Sequence, residues 1–296
     1  MSALRDHHRP KIMTLENNQL SNLLPYGSLI LVLSIIYIAL ITNCLERWIL
    51  PRVYKRVWSS LECGKDERRR RSFTYFHVGT FILACLLVST GYPIMYFLIG
   101  DAKFSTPLVK GGTVTVGDSL FVAAEVYSAY YLFEMCFRTR FASYISIAHH
   151  TGLLVITQTA LSLFANREKH PEAAVEFYMC MVWGCFDVVV ELPIFISMIV
   201  WRAKREDHVL LSRLGFGCCI WAVVAATTET IVTIYLLHKS WLRWDIEWKI
   251  ATPTIFTLWI TTQLYGATRL YAMGRGESRK IKVQSIESES QECVAV

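Results

Sequence analysis

Ala148-His149-His150-Thr151-Gly152 lies near the middle of an apolar segment that runs from Phe141 to Phe164. A helix of that length crosses a bilayer, whose hydrocarbon core of about 30 Å needs about 20 residues. Two adjacent imidazoles at such depth are costly. Ionisable side chains at a helix centre carry penalties of about 2.5–3.5 kcal/mol on insertion scales, so they turn toward the interior of a bundle and mark a functional site. The segment therefore predicts a membrane helix with a polar inner face, and what shares its depth decides the chemistry.

Working outward, the whole chain has the same character. Of its 296 residues 53% are hydrophobic and 18% charged, with a mean hydropathy of +0.36, whereas a soluble domain carries about 25% charge. Apolar runs over residues 27–50, 73–100, 118–137, 141–164, 173–201, 209–238 and 250–273 predict an all-α, polytopic transmembrane bundle of about seven spans. The organisation that follows is a polar, poorly ordered tail over 1–26 and a first membrane helix with a basic loop over 27–72. A six-helix membrane domain over 71–273 and a disordered Ser/Glu-rich tail over 274–296 complete it. Pro51 is expected to end the first span. The short connection Arg138-Thr139-Arg140 makes the third and fourth spans antiparallel neighbours.

The net charge of +6 comes largely from Lys and Arg between the apolar runs, which reads as topology rather than nucleic-acid binding. Seven spans with the loops after the first, third, fifth and seventh in the cytosol place about 17 Lys and Arg there and about 10 opposite. The N-terminus is then lumenal or outside and the C-terminus cytosolic. Most of the nine cysteines fall in apolar segments, where Cys acts as a small hydrophobe, so no disulfide framework is implied.

Three predicted helices converge on the histidines' layer. His150 is ten residues from Arg140, about 15 Å at 1.5 Å per residue, and Glu191 is equally far from Trp201. Asp187 is one turn from Glu191 and shares its face. On the third span Tyr127, Tyr130, Tyr131 and Glu134, spaced i, i+3, i+4 and i+7, draw one polar-aromatic stripe. Such a set supports acid–base or nucleophilic work: His149 or His150 as base or nucleophile, Asp187 and Glu191 fixing its tautomer, a tyrosine donating to an oxyanion. The plainer alternative is a set of interhelical hydrogen bonds that hold the bundle together. Adjacent helical residues point about 100° apart, so one histidine faces the site. Pro193 frees a carbonyl near Val189. No His-x-x-x-His or Cys-x-x-Cys spacing accompanies these residues in the site, so no metal is expected.

Tyr130-Tyr131-Leu132-Phe133-Glu134, then Ile147-Ala148-His149-His150-Thr151-Gly152, then Phe186-Asp187-Val188-Val189-Val190-Glu191 together resemble the centre of a TLC domain. That multi-span fold is shared by ceramide synthases and several non-synthase lipid-handling proteins, and the resemblance covers about residues 71–273. Ceramide synthases carry a longer motif after the histidines, with Ser-Trp, Asn and Arg, and a His-Asp pair. This chain reads Thr151-Gly152-Leu153-Leu154-Val155-Ile156-Thr157-Gln158 there instead. The resemblance therefore implies a non-synthase member with a lipid-sized midplane cavity in the endoplasmic reticulum membrane. It would bind, sense or transport lipid, with His149, His150, Asp187 and Glu191 at the polar centre and Tyr127, Tyr130, Tyr131 and Glu134 against the lipid. Its expected partners are the bilayer and a membrane lipid or acyl chain, with room for a homo-oligomer, and no cofactor is required. A second reading is a lipid N-acyltransferase using acyl-CoA. A third is a seven-span receptor or proton-coupled carrier.

Overall fold

Gly27–Cys44 (α2) contains no charged side chain, and in lipid such a run can satisfy its backbone only as a helix or a closed barrel. In the computed structural model, which describes residues 10–63, 67–138 and 144–294, every regular element is helical. A one-turn α1 (Lys11–Thr14) precedes α2. A wide π turn (Leu45–Ile49), α3 (Leu50–Val53) and α4 (Lys55–Cys63) follow it. The long helices are then α5 (Glu67–Leu98), α6 (Val116–Arg138), α7 (Tyr144–Phe164), α8 (Ala173–Ala203), α9 (His208–Ser240) and α10 (Ile246–Val294).

Local chemistry sets several of the starts. Thr115 and Asp118 cap α6 reciprocally: Thr115 N–H donates to Asp118 Oδ2 at 2.9 Å and Asp118 N–H to Thr115 Oγ1 at 3.2 Å. Asp207 Oδ1 accepts from Leu210 N–H at 2.9 Å and caps α9. Pro51 does not end the first span as the sequence predicts. Its ring would meet the carbonyl of Arg47, and the π turn relieves that misfit, so the helix breaks only at Tyr54, with φ −111° and ψ 42°.

α8 occupies the centre, packed on α5, α7 and α9, while α2 lies against α6 and α5, and α10 runs along α9 and touches α7. The first eleven residues of α8, 173–183, are buried all round, which requires neighbours on every side. The outer faces are apolar instead: Leu33, Ile36, Tyr37 and Leu40 on α2, Val88 on α5, and Ile220 and Ile231 on α9 are exposed. Apolar faces of that extent suit lipid and not water. Among the described residues six helices are long and apolar enough to cross a membrane, and the chain is an all-α integral membrane bundle.

Two expectations are corrected at the ends of the chain. Residues 10–23, predicted to be a loose polar tail, form a strap across one end of the bundle. Ile12, Leu15 and Leu20 are buried. Lys11 Nζ donates to the carbonyls of Phe97, Gly100 (3.0 Å) and Ala102 (2.5 Å), capping the end of α5. Arg243 donates to the carbonyls of Ile12 and Leu15, both at 2.6 Å, and Ser21 Oγ donates to Asp118 Oδ1 at 2.6 Å.

At the other terminus the seventh predicted span, 250–273, is helical but is part of the longer α10 and is not among the six. Thr252, Thr254, Thr257, Thr261, Thr262 and Gln263 dilute its apolar character. The helix then continues to Val294 where a disordered tail is predicted, because α9 holds its first turns. Ser212 Oγ donates to Gly274 O at 3.2 Å, His208 Nδ1 lies 2.6 Å from Glu277 Oε2, and Lys280 Nζ donates to Glu277 Oε1 at 2.7 Å. The Arg138-Thr139-Arg140 connection, and with it the depth count from Arg140, runs into residues 139–143, outside the described residues; α6 and α7 do pack together.

The Glu277 cluster gives a pH signature. Burial alone would raise its pKa, but hydrogen bonds from Lys280 and His208, and their charges, bring it below its ordinary value of 4.5. A carboxyl whose folded pKa is depressed stabilises the fold above its unfolded pKa and stops doing so as pH falls through the folded one. The difference in thermal stability between wild type and Glu277→Gln is therefore expected to be full at pH 6–7 and to close below about pH 4.5. An unchanged gap at pH 4 would show that Glu277 acts through shape alone.

Candidate functional site

The i, i+3, i+4, i+7 spacing on α6 turns Tyr127, Tyr130, Tyr131 and Glu134 toward α5, α7 and α8, and the four become the spine of a buried network. Tyr127 Oη donates to Asp187 Oδ2 of α8 at 2.5 Å, Tyr131 Oη donates to the same oxygen, and the two hydroxyls are 2.8 Å apart. Asp187 is 3% exposed. A carboxylate oxygen at that depth needs such donors, since no water replaces them.

Tyr131 also carries the network to α7. Its ring centroid is 4.6 Å from that of His150, whose Nε2 is 3.4 Å from Glu134 Oε2. Tyr75 Oη of α5 donates to that same Glu134 oxygen at 2.6 Å and receives a hydrogen bond from Tyr130 Oη at 2.8 Å. Glu134 Oε2 thus meets both the Tyr75 hydroxyl and the His150 ring. The buried Nδ1 of His150 has no hydrogen-bond partner among the described residues. Hydroxyl, carboxyl and imidazole groups from four helices thus form one layer.

The two histidines part as the 100° step requires. His150 faces the network. His149, equally buried, rests edge-on against Trp259 of α10 at 4.6 Å between centroids, with Trp183 beyond at 6.2 Å from Trp259. Glu191 is half-buried one turn further along α8. The carbonyl that Pro193 frees, at Val189, accepts from the Trp221 indole N–H of α9 at 3.2 Å. That contact gives the proline a use in holding α9 to α8.

Sequence reasoning missed three participants. Tyr75 follows a basic run and reads as headgroup-level, yet α5 starts at Glu67 and puts it two turns in. Trp259 reads as one more apolar residue. Glu125 was legible by the rule that found Asp187, being an acid inside a span, and Gln158 Nε2 donates to its Oε2 at 3.2 Å and to Ser128 Oγ at 3.0 Å.

Beside the Tyr127 end of the network lies an apolar slot of about 130 Å³ between α5, α6, α7 and α8. Leu86, Ile94, Ala124, Leu153 and Val188 wall it, with Tyr127 among them. Leu87, Met95 and Val189 also border it and are exposed on the outer face, so it opens sideways. His149, His150, Asp187 and Glu191 are not among its lining residues, and Tyr127 is where the slot meets the network. Among the described residues no three His, Cys, Asp or Glu side chains gather as a metal site would need. No family model, no curated protein and no solved structure matches the chain.

Proposed function

We propose that this is a lipid-handling membrane protein that takes an acyl chain sideways into the slot and senses it through Tyr127. The observation that carries the reading is the slot: apolar, open toward the bilayer, and ending on a tyrosine already bound to a buried aspartate. Small-molecule sites run to about 300–1,000 Å³. A volume of about 130 Å³ suits the end of one chain, with the rest of the lipid left in the membrane. Displacing the Tyr127 ring changes what Asp187 and, through Tyr131, His150 are bonded to. The resemblance to TLC domains points the same way and supports the endoplasmic reticulum as its membrane.

Gly184 supplies the test. A Cβ there would stand 4.0 Å from Tyr127 Cε1, in ordinary contact, so a longer side chain grows into the slot rather than into backbone. Full-length wild type extracted in mild detergent is expected to carry lipid detectable by mass spectrometry, and Gly184→Leu to lose most of it while eluting as a folded protein. Retention of the same lipid by Gly184→Leu would sink the proposal.

The buried, unpartnered Nδ1 of His150 favours a second reading, acyl transfer to a lipid amine with acyl-CoA as donor. Turnover of acyl-CoA with a long-chain base, abolished in a His149→Ala/His150→Ala variant, would select it over binding.

A further inference from the structure

A larger cavity, about 720 Å³, lies at the end of the bundle where α8 stops. Three separate segments bring cations to it: Arg56 from α4, Arg69 from the first turn of α5, and Arg202 from the last turn of α8 with Lys204 and Arg205 just beyond it. Two acids also border it, and both have duties: Asp207 caps α9 and Glu206 makes an exposed pair with Arg56 at 3.4 Å. Trp201 and Met198 supply an apolar side.

We infer that this cavity binds a phosphate-bearing anion, held in place as the headgroup of a membrane lipid. A topology signal needs cations only somewhere in the flanking segments. Here they converge from sequence positions about 150 residues apart around one concavity, whose volume is in the range of a small-ligand site. Its level fits a headgroup, because α8 ends and α5 and α9 begin there, each of them long and apolar enough to span. The indole of Trp201 suits the polar edge of a bilayer. Guanidinium groups offer paired N–H donors that match phosphate oxygens. The inference is independent of the acyl slot, which lies among other residues of α5–α8.

The test uses the full-length protein in mild detergent, with phosphatidylinositol 4-phosphate, phosphatidylcholine and inorganic phosphate as probes and native mass spectrometry as readout. Wild type is expected to retain one phosphatidylinositol 4-phosphate per chain at least about tenfold more tightly than phosphatidylcholine. Arg202→Gln/Lys204→Gln/Arg205→Gln should lose that preference, and the charge-conserving Arg202→Lys/Lys204→Arg/Arg205→Lys should keep it. Displacement of the lipid by millimolar inorganic phosphate would support the site and assign it to a free phosphate ligand; resistance to displacement would support it as a lipid site. Equal retention of both lipids by wild type overturns the inference, as does an unchanged preference in the neutralised variant. Should that triple variant not fold, the exposed single changes Arg56→Gln and Arg205→Gln decide the matter, and full preference in both overturns it.

Discussion

Asp187→Ala is expected to destabilise the folded chain by about 2–4 kcal/mol, read as a fall in the thermal unfolding midpoint, and to deplete co-purifying lipid. The magnitude follows from what the substitution strands. Asp187 Oδ2 accepts from both Tyr127 and Tyr131 in a layer sealed from water. Hydrogen bonds contribute about 0.5–1.5 kcal/mol each in soluble proteins, about 1.5–3 to a charged group, and about 0.6–1.7 between membrane helices. The two hydroxyls, 2.8 Å apart, can still bond one another, so the loss is less than two full bonds. Asp187→Asn keeps an acceptor oxygen and should cost less than half as much. An Asp187→Ala protein that melts with wild type would mean that the network contributes nothing to holding α6 against α8.

Gly215→Val is expected to lift α10 off α9 at a cost of about 3 kcal/mol or more, the range of overpacking and of lost buried contacts. A Cβ on Gly215 would come within 2.7 Å of Gly274 N and Cα and 3.2 Å of Leu270 O. All of these are backbone atoms, which cannot swing aside as a side chain can. Small residues that let two helix backbones touch are a common device for packing within membranes. Separation there also strains the Ser212–Gly274 and His208–Glu277 contacts and the Gln263–Glu229 hydrogen bond of 2.9 Å. Gly217→Val is the control, since a Cβ there meets nothing within 4 Å. Limited proteolysis after residue 274 should accelerate in the first variant and not in the second.

How much of this the sequence discloses depends on the range of the interaction. Runs of apolar residues are local, and they locate α2 and α5–α9 well. The stripe on α6 is also local, because helix period alone aligns Tyr127, Tyr130, Tyr131 and Glu134, and the 100° step alone separates His149 from His150. The partners across the helices are not local. Tyr75 and Trp259 join the site through packing that no spacing encodes. Pro51 misleads because its usual effect assumes an ordinary α-helix, while a π turn absorbs the clash. The strap misleads because a polar average hides Ile12, Leu15 and Leu20. α10 falls between categories, its threonines too polar for a clear span and its contacts with α9 too many for a loose tail.

The strap has a consequence for the order in which the molecule can be made. Its carbonyls at Ile12 and Leu15 are held by Arg243, separated from them by 231 and 228 positions along the chain. A ribosome must therefore deliver at least 228 residues beyond Leu15 of the strap before that contact can close. Lys11 and Ser21 can dock on residues 97–118 well before that, so the strap is seated at one edge early and latched by Arg243 only once α9 has been made.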